Sequence, residues 1–456
     1  MRTALKSIKP SESLRKYSTP LISLLIVQAF AIFLISLYPS TPFDEITHFD
    51  YAYKIAEGNI PPVNDRYGQK TLEIVACSPI RNSPAWSNLD PCGSGFYEYQ
   101  KAPFNGLSSA TPLNPLYYSI TAIPFKVCDQ IHNKKNSELT CMRLANSTWL
   151  SSAAFIITYS LMNFGIGSLW ALILSLTLTL TDVNLLQGIT VNSDSAAFWF
   201  ASFMFAILST KRLKIKKQYI IITTACIGVL LKPTTIPVIL LFAILLNPKN
   251  HSQSSKPVTK RKNLIDFTKL FSINHILCAA IGITIAMLIT WLQAQLRGTW
   301  GANEMGIALN TPLKLVFGIM VQSIQAGIFP ASQHTWPANI SGYAYYGGIL
   351  LALAPLLLIS NLTFKKSEEF SENEKTNGVF FTLFFSTILL SAPLITLMSW
   401  IVTGSAFYQP RYFLNLNLFL ILVSVAYAQN RIMVKTVMIP ISFCAVANLV
   451  MVFKFY

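Results

Sequence analysis

The chain has 456 residues, 52% of them hydrophobic and only 12% charged, and its mean hydropathy is +0.48. Soluble domains carry about 25% charged residues, so the composition excludes an ordinary soluble enzyme and makes the bilayer the expected solvent. The net charge of +16 does not point to nucleic acid, because the basic residues gather in short blocks beside apolar runs, as the positive-inside rule requires.

In chain order, the block Arg2, Lys6, Lys9, Arg15 and Lys16 precedes the apolar run from Leu21 to Leu37. No small-residue cleavage site closes that run and more apolar runs follow, so a retained first span is expected rather than a signal peptide. The polar stretch from Pro39 to Met142 holds ten of the nineteen acidic residues against eight Lys or Arg, and is expected to be extracytoplasmic. Further basic blocks, at Lys211 to Lys217, Lys256 to Lys262, and Arg431 with Lys435, belong inside.

Together these constraints predict an all-α polytopic membrane protein with about eleven transmembrane helices, roughly at 20–38, 144–163, 167–187, 190–210, 219–232, 235–247, 272–293, 344–360, 378–402, 413–428 and 436–453. Residues 1–19 are then a cytoplasmic tail and 20–456 one membrane-embedded domain, with a large first outer loop at 39–143 and a second at 294–343. Pro112 to Val127 and Pro312 to Phe329 are apolar but interrupted. Counting either as a span would put a basic block on the wrong side, so both are expected as interfacial helices on the outer surface.

Of the seven cysteines, Cys226, Cys278 and Cys444 fall in expected spans and read as small apolar packing residues. The outer loop holds the rest. Cys77 and Cys92 bracket one short stretch and Cys128 and Cys141 another, a spacing that suggests two local disulfides in an oxidising compartment. No internal repeat, low-complexity tract or Gly-rich phosphate loop is visible.

Ionisable groups near hydrocarbon are costly unless they are paired or face water. Here they fall on one side: Asp44, Glu45 and His48 after the first span, Asp182 ending the third, Asn192 and Asp194 opening the fourth, Lys232 ending the fifth, and Arg411 and Tyr412 after the ninth. All map to extracytoplasmic helix ends. The densest part runs from Thr41 to Gly58, where Thr41 can N-cap a short helix, Pro42 suits its first turn and Gly58 can end it. Asp44 and His48 are four apart and share a face, with Glu45 three from His48. Two other readings of these acids stay open: they complement the helix dipole, or with His48 they hold a divalent metal.

The run Pro42-Phe-Asp-Glu-Ile-Thr-His-Phe-Asp-Tyr-Ala52 resembles the acidic motif of the first outer loop in the GT-C superfamily of membrane glycosyltransferases. It is most similar to a branch of bacterial predicted membrane proteins with an Asp-Glu-x-x-His version. Further pieces follow in the same order: Pro112-Leu-Asn-Pro-Leu-Tyr-Tyr118, Arg143-Leu-Ala-Asn146, Val191-Asn-Ser-Asp194, Lys232-Pro-Thr234 and Tyr408-Gln-Pro-Arg-Tyr-Phe413. One departure is the loop Thr111-Pro-Leu-Asn-Pro115, where relatives have two adjacent prolines and, in the aminoarabinose transferases, a preceding lysine.

The resemblance implies an inverting transfer from a polyprenyl-phosphate-sugar donor to a glycan or lipid acceptor, at the outer face of a bacterial inner membrane and among membrane lipids. Asp44 would be the general base, with Glu45 the adjacent alternative. Arg411 would meet the leaving phosphate, helped by Lys232 and Arg143. His48, Asn192, Asp194 and Tyr412 would complete the substrate site. No cytoplasmic segment exceeds about 25 residues, too short for a nucleotide-sugar domain. A polysaccharide polymerase or ligase using a pyrophosphate-linked donor, and a lipid or glycan transporter, are the rival expectations.

Overall fold

A computed structural model describes residues 12–37, 45–132, 137–210, 215–246, 273–298, 312–313, 315–319 and 414–427. The described residues are mostly helical and contain no named strand, only an isolated antiparallel bridge between Arg66 and Leu107.

The central helix is α5 (Glu138–Asn163), which packs against α1 (Glu12–Leu37), α4 (Leu116–His132), α6 (Ser168–Thr179), α7 (Asp182–Ile189) and α8 (Asp194–Ser209). Small and hydroxyl residues on its buried face, including Ser147, Ala153, Ala154 and Thr158, let neighbouring helices approach closely. Gln28 of α1 donates to Ser147 Oγ at 2.8 Å, and Thr158 donates to Ser23 Oγ at 3.0 Å. Close packing with interhelical hydrogen bonds is how helices associate when lipid is as apolar as their side chains. Next to this group, α9 (Lys217–Leu231) packs on α10 (Ile236–Leu245) and α11 (Ile273–Arg297). Gly282 makes the α9–α11 approach possible, since a Cβ there would lie 2.7 Å from Ala225 Cβ and against the Ile222 carbonyl. Finally α12 (Leu414–Tyr427) packs on α8, α10 and the Pro233–Thr235 turn.

Two helix breaks shape the site. The span expected at 167–187 is instead two helices, α6 and α7, separated at Leu180 and Thr181, with Thr181 extended at φ −62° and ψ 145°. Local polar chemistry explains the difference: Asn184 Nδ2 turns back to the Leu178 carbonyl at 2.8 Å, offering the backbone a partner outside the helical ladder. The second break follows α9, where Lys232 is extended (φ −162°, ψ 122°) because it precedes Pro233, and a 3₁₀ turn at Pro233–Thr235 leads into α10.

The segment from Glu45 to His132, the expected outer segment, has a core of its own. Ile46 of α2 (Glu45–Ala56), Leu72 and Val75 of α3 (Gln69–Ala76), and Tyr67, Trp86 and Tyr97 bury together, with Cys77 joined to Cys92 beside them. The other pair, Cys128 and Cys141, ties α4 to the start of α5. Asp50, fully buried, binds the pieces: its Oδ1 accepts from Gly68 N and Thr71 Oγ1, both at 2.8 Å, and its Oδ2 faces Lys54 Nζ at 2.8 Å. Burial holds its carboxyl above the usual carboxylate range despite Lys54 and these donors. At the end of α2, where Gly58 is expected to stop the helix, Gly58 takes φ +90°, with Asn59 N reaching the Lys54 carbonyl and Gly58 N the Ile55 carbonyl, a Schellman termination.

The interfacial helix expected from 112 begins instead at Leu116, whose N–H donates to Asn114 Oδ1 at 3.0 Å, and runs on to His132. One face packs on α2 and α5, while Ile120, Ile123, Val127 and Ile131 are exposed. Of the one expected at 312–329, only 312–313 and 315–319 are described.

Tyr17–Leu37 and Ile273–Arg297 are long and apolar enough to cross a bilayer, whereas Ser168–Thr179, Asp194–Ser209, Lys217–Leu231 and Pro233–Leu245 are apolar but shorter. The described residues therefore do not reach the eleven spans expected, and the expected spans at 344–360, 378–402 and 436–453 lie outside them.

Candidate functional site

The site is organised around the connector from Thr190 to Ser193, between α7 and α8. On one side, Glu45 opens α2 and its carboxylate receives both arms of the Arg143 guanidinium, Nε to Oε1 at 2.7 Å and Nη2 to Oε2 at 2.6 Å. The same Oε1 accepts the connector's Val191 N–H at 3.2 Å. Both side chains are buried, Glu45 to 1% exposure and Arg143 to 3%. A planar fork meeting a carboxylate in this way is the strong form of an ion pair, and its burial requires that neither partner be removed alone.

A second pair stands on the other side. Lys232, at the break after α9, places Nζ 3.0 Å from Asp194 Oδ1 and donates to Ser193 Oγ at 2.8 Å. Asn192 shapes the start of α8 by accepting the Asp194 N–H on Oδ1 at 3.0 Å. The four motif residues Val191 to Asp194 thus link one buried ion pair to the other.

Asn146 holds the end of α7 and the first residue of the connector, Thr190. Its Nδ2 donates to the carbonyls of Gln187, Gly188 and Thr190 at 2.9, 3.1 and 2.5 Å, and its Oδ1 accepts from Tyr117 at 2.6 Å and Ser195 at 2.9 Å. Burial pushes the Tyr117 phenol far above its ordinary pKa, so it stays protonated and keeps donating. The neighbouring ring, Tyr118, stacks with His48 and shares a 2.6 Å hydrogen bond with His48 Nδ1. At the end of α11, Arg297 donates to Tyr51 Oη at 2.6 Å and to the Thr111 and Leu113 carbonyls at 3.1 and 3.3 Å, while Asn114 reaches Gln293 at 2.7 Å. The Thr111 to Pro115 loop is therefore docked on the end of α11.

Among the expected site residues, the structure brings Glu45, Arg143, Asn192, Asp194 and Lys232 together, with His48 one turn along α2 from Glu45. Asp44, Arg411 and Tyr412 lie outside the described residues. Arg143, the expected helper at the leaving phosphate, is paired with Glu45 in the structure, where it serves as the cation for a buried carboxylate at the start of α2. Sequence reasoning missed Tyr117, Tyr118, Asn146 and Ser193. All four sit inside the motifs quoted above, and Asn146 stands three residues after Arg143 on the same helix, a spacing that was its available signal. Among the described residues no group of three or more His, Cys, Asp or Glu could hold a metal.

Neither the curated proteins nor the solved structures include a match to the chain. A family model described as a predicted membrane protein, DUF2142, matches residues 27–420, which takes in every motif that builds this site. The chain belongs to the DUF2142 family of predicted membrane proteins.

Proposed function

We propose that this protein is an inverting membrane glycosyltransferase that uses a polyprenyl-phosphate-sugar donor at the outer face of the bacterial inner membrane. The observation that carries the reading is the pair of buried ion pairs, Glu45–Arg143 and Asp194–Lys232, joined through one four-residue connector directly beside the helix that Asp44 precedes. Fixed charges of this kind are pre-oriented for a reaction in which charge moves from an acceptor oxygen to a leaving phosphate.

In the reaction, an acceptor hydroxyl oxygen forms a bond to the anomeric carbon as the bond from that carbon to the phosphate oxygen breaks. Asp44 takes the hydroxyl proton, and polyprenyl phosphate leaves with the bonding electrons. Glu45 is a positioning residue in this scheme, since both its oxygens are engaged by Arg143 and a proton arriving there would displace a guanidinium hydrogen bond. Arg411 supplies the planar fork for the phosphate oxygens. His48, Tyr412, Asn192 and the Asp194–Lys232 pair orient the sugar and its acceptor. The two disulfides in the outer segment agree with an oxidising compartment on that side.

The two breaks, at Leu180–Thr181 and at Lys232, favour a second reading, because discontinuous helices also build the substrate sites of transporters. Vesicles carrying the purified chain separate the two. With a polyprenyl-phosphoryl sugar and an envelope lipid as acceptor, a transferase releases free polyprenyl phosphate and extends the acceptor. Movement of the intact sugar lipid between leaflets, with no polyprenyl phosphate released, would replace the transferase with a transporter.

A further inference from the structure

The short helix α7 carries two buried amides whose polar atoms are left over by the fold. Gln187 is 3% exposed and Asn184 is 9% exposed, and they lie three residues apart, on one face of the helix. Among the described residues, Gln187 Nε2 and Asn184 Oδ1 have no hydrogen-bond partner. Several buried polar groups next to α7 are paired. Asn146 makes five hydrogen bonds, and the hydroxyls of Thr179 and Thr190 turn back to helix carbonyls four residues earlier. Asn184 even uses its other amide atom to cap Leu178. A buried group left unpaired is destabilising, so two on one face call for a reason.

The chemistry of the pair is specific. One leftover atom is a donor and the other an acceptor, and neither is charged. A phosphate offers only acceptors, whereas a hydroxyl can accept from Gln187 and donate to Asn184. The helix is also tied to the site, because the Gln187 carbonyl is held by Asn146, the residue that sets the connector reaching Glu45.

We propose that Asn184 and Gln187 form a subsite for sugar hydroxyls, placed on the outer piece of a broken helix to read the sugar carried by the lipid donor. This rests on the glycosyl-transfer reading and deepens it by separating recognition of the sugar from recognition of the phosphate.

The test uses the full chain in detergent or nanodiscs, with sugar-free polyprenyl phosphate and a panel of polyprenyl-phosphoryl hexoses and pentoses as probes. Affinity and thermal midpoint are measured for wild type and for Gln187→Met, which keeps the shape and removes the donor. Wild type should bind at least one sugar lipid more tightly than sugar-free lipid, and Gln187→Met should lose about 5- to 10-fold on that sugar lipid alone. Its ligand-free midpoint should be unchanged or raised, since an unused buried amide has been replaced by an apolar side chain. Gln187→Leu, which likewise removes the donor and adds no charge, gives the same readout should the Met variant fail to accumulate. Undiminished sugar preference in the variant would overturn the subsite while leaving the transferase reading intact. A lowered ligand-free midpoint would overturn it by giving the amide a structural role. Absence of any sugar preference in wild type would overturn both.

Discussion

The outer segment and the helix bundle are held together by different means. Between Glu45 and His132 the chain closes on itself over short distances, through the Cys77–Cys92 bond, the buried Asp50 with its ties to Lys54, Gly68 and Thr71, and a small aromatic core. The bundle differs: among the described residues, no disulfide joins two of its helices. Its helices approach through small residues such as Gly282 and Ala154 and through single hydroxyl contacts such as Thr158 to Ser23. The two regions meet at the candidate site, where Glu45 of the outer segment is gripped by Arg143 of the bundle.

Breaking the seam should cost the most. Glu45→Ala leaves the Arg143 guanidinium buried without its partner, a loss of about 3–5 kcal/mol. The expected outcome is poor accumulation, with faster hydrogen exchange in both α2 and the 190–195 region, whereas exchange confined to α2 would show that the two regions are not coupled there. Removing Cys77 and Cys92 together should cost about 3 kcal/mol and act on the outer segment alone, since the loop they close is local. Its check is exchange that rises over 69–107 while α5 and α8 stay protected.

In the bundle, Gly282→Leu should cost about 1–3 kcal/mol by forcing α9 from α11. Cross-linking between engineered cysteines on those two helices would fall, with the outer segment unchanged. The smallest effect is a pH dependence. Asp50 has a raised pKa through burial, so between its ordinary value and that raised value the folded chain binds more protons than the unfolded one. Stability contributed by this group therefore falls as pH rises through that window. Wild type should show this slope in its thermal midpoint, and Asp50→Asn should lose it.

How much of this was legible in the sequence depends on which interactions set each element. Apolar length fixes a helix, so α5, α8, α9, α10, α11 and α12 lie within a few residues of the expected spans. Gly58 announced the end of α2 because only a residue at ease with positive φ fits there. The break between α6 and α7 was not legible, since hydropathy averages over the run and Asn184 acts through one local hydrogen bond. The same limit applied at the site. Charged residues stand out against an apolar background, so Glu45, Asp194 and Lys232 are legible as candidates, but which cation meets which acid depends on helix packing. Arg143 could be paired with Glu45 only once α5 was placed beside α2. Asn146 is uncharged and stands within a helix, so charge did not mark it, although it ties the end of α7 and Thr190 to α5.

The most direct test compares the two adjacent acids at the mouth of α2, using donor turnover in membranes that contain the variant at wild-type abundance. Asp44→Asn keeps shape and hydrogen-bonding capacity but removes the base, so sugar transfer should fall by at least about 100-fold with donor lipid still bound. Glu45→Gln, which keeps contact with Arg143, should lose abundance more than turnover per folded molecule. Near-normal transfer by Asp44→Asn, with the larger loss of turnover at Glu45→Gln, would contradict the division of labour proposed for the two acids. Near-normal transfer by both single variants and by the double variant would remove the carboxylate mechanism altogether.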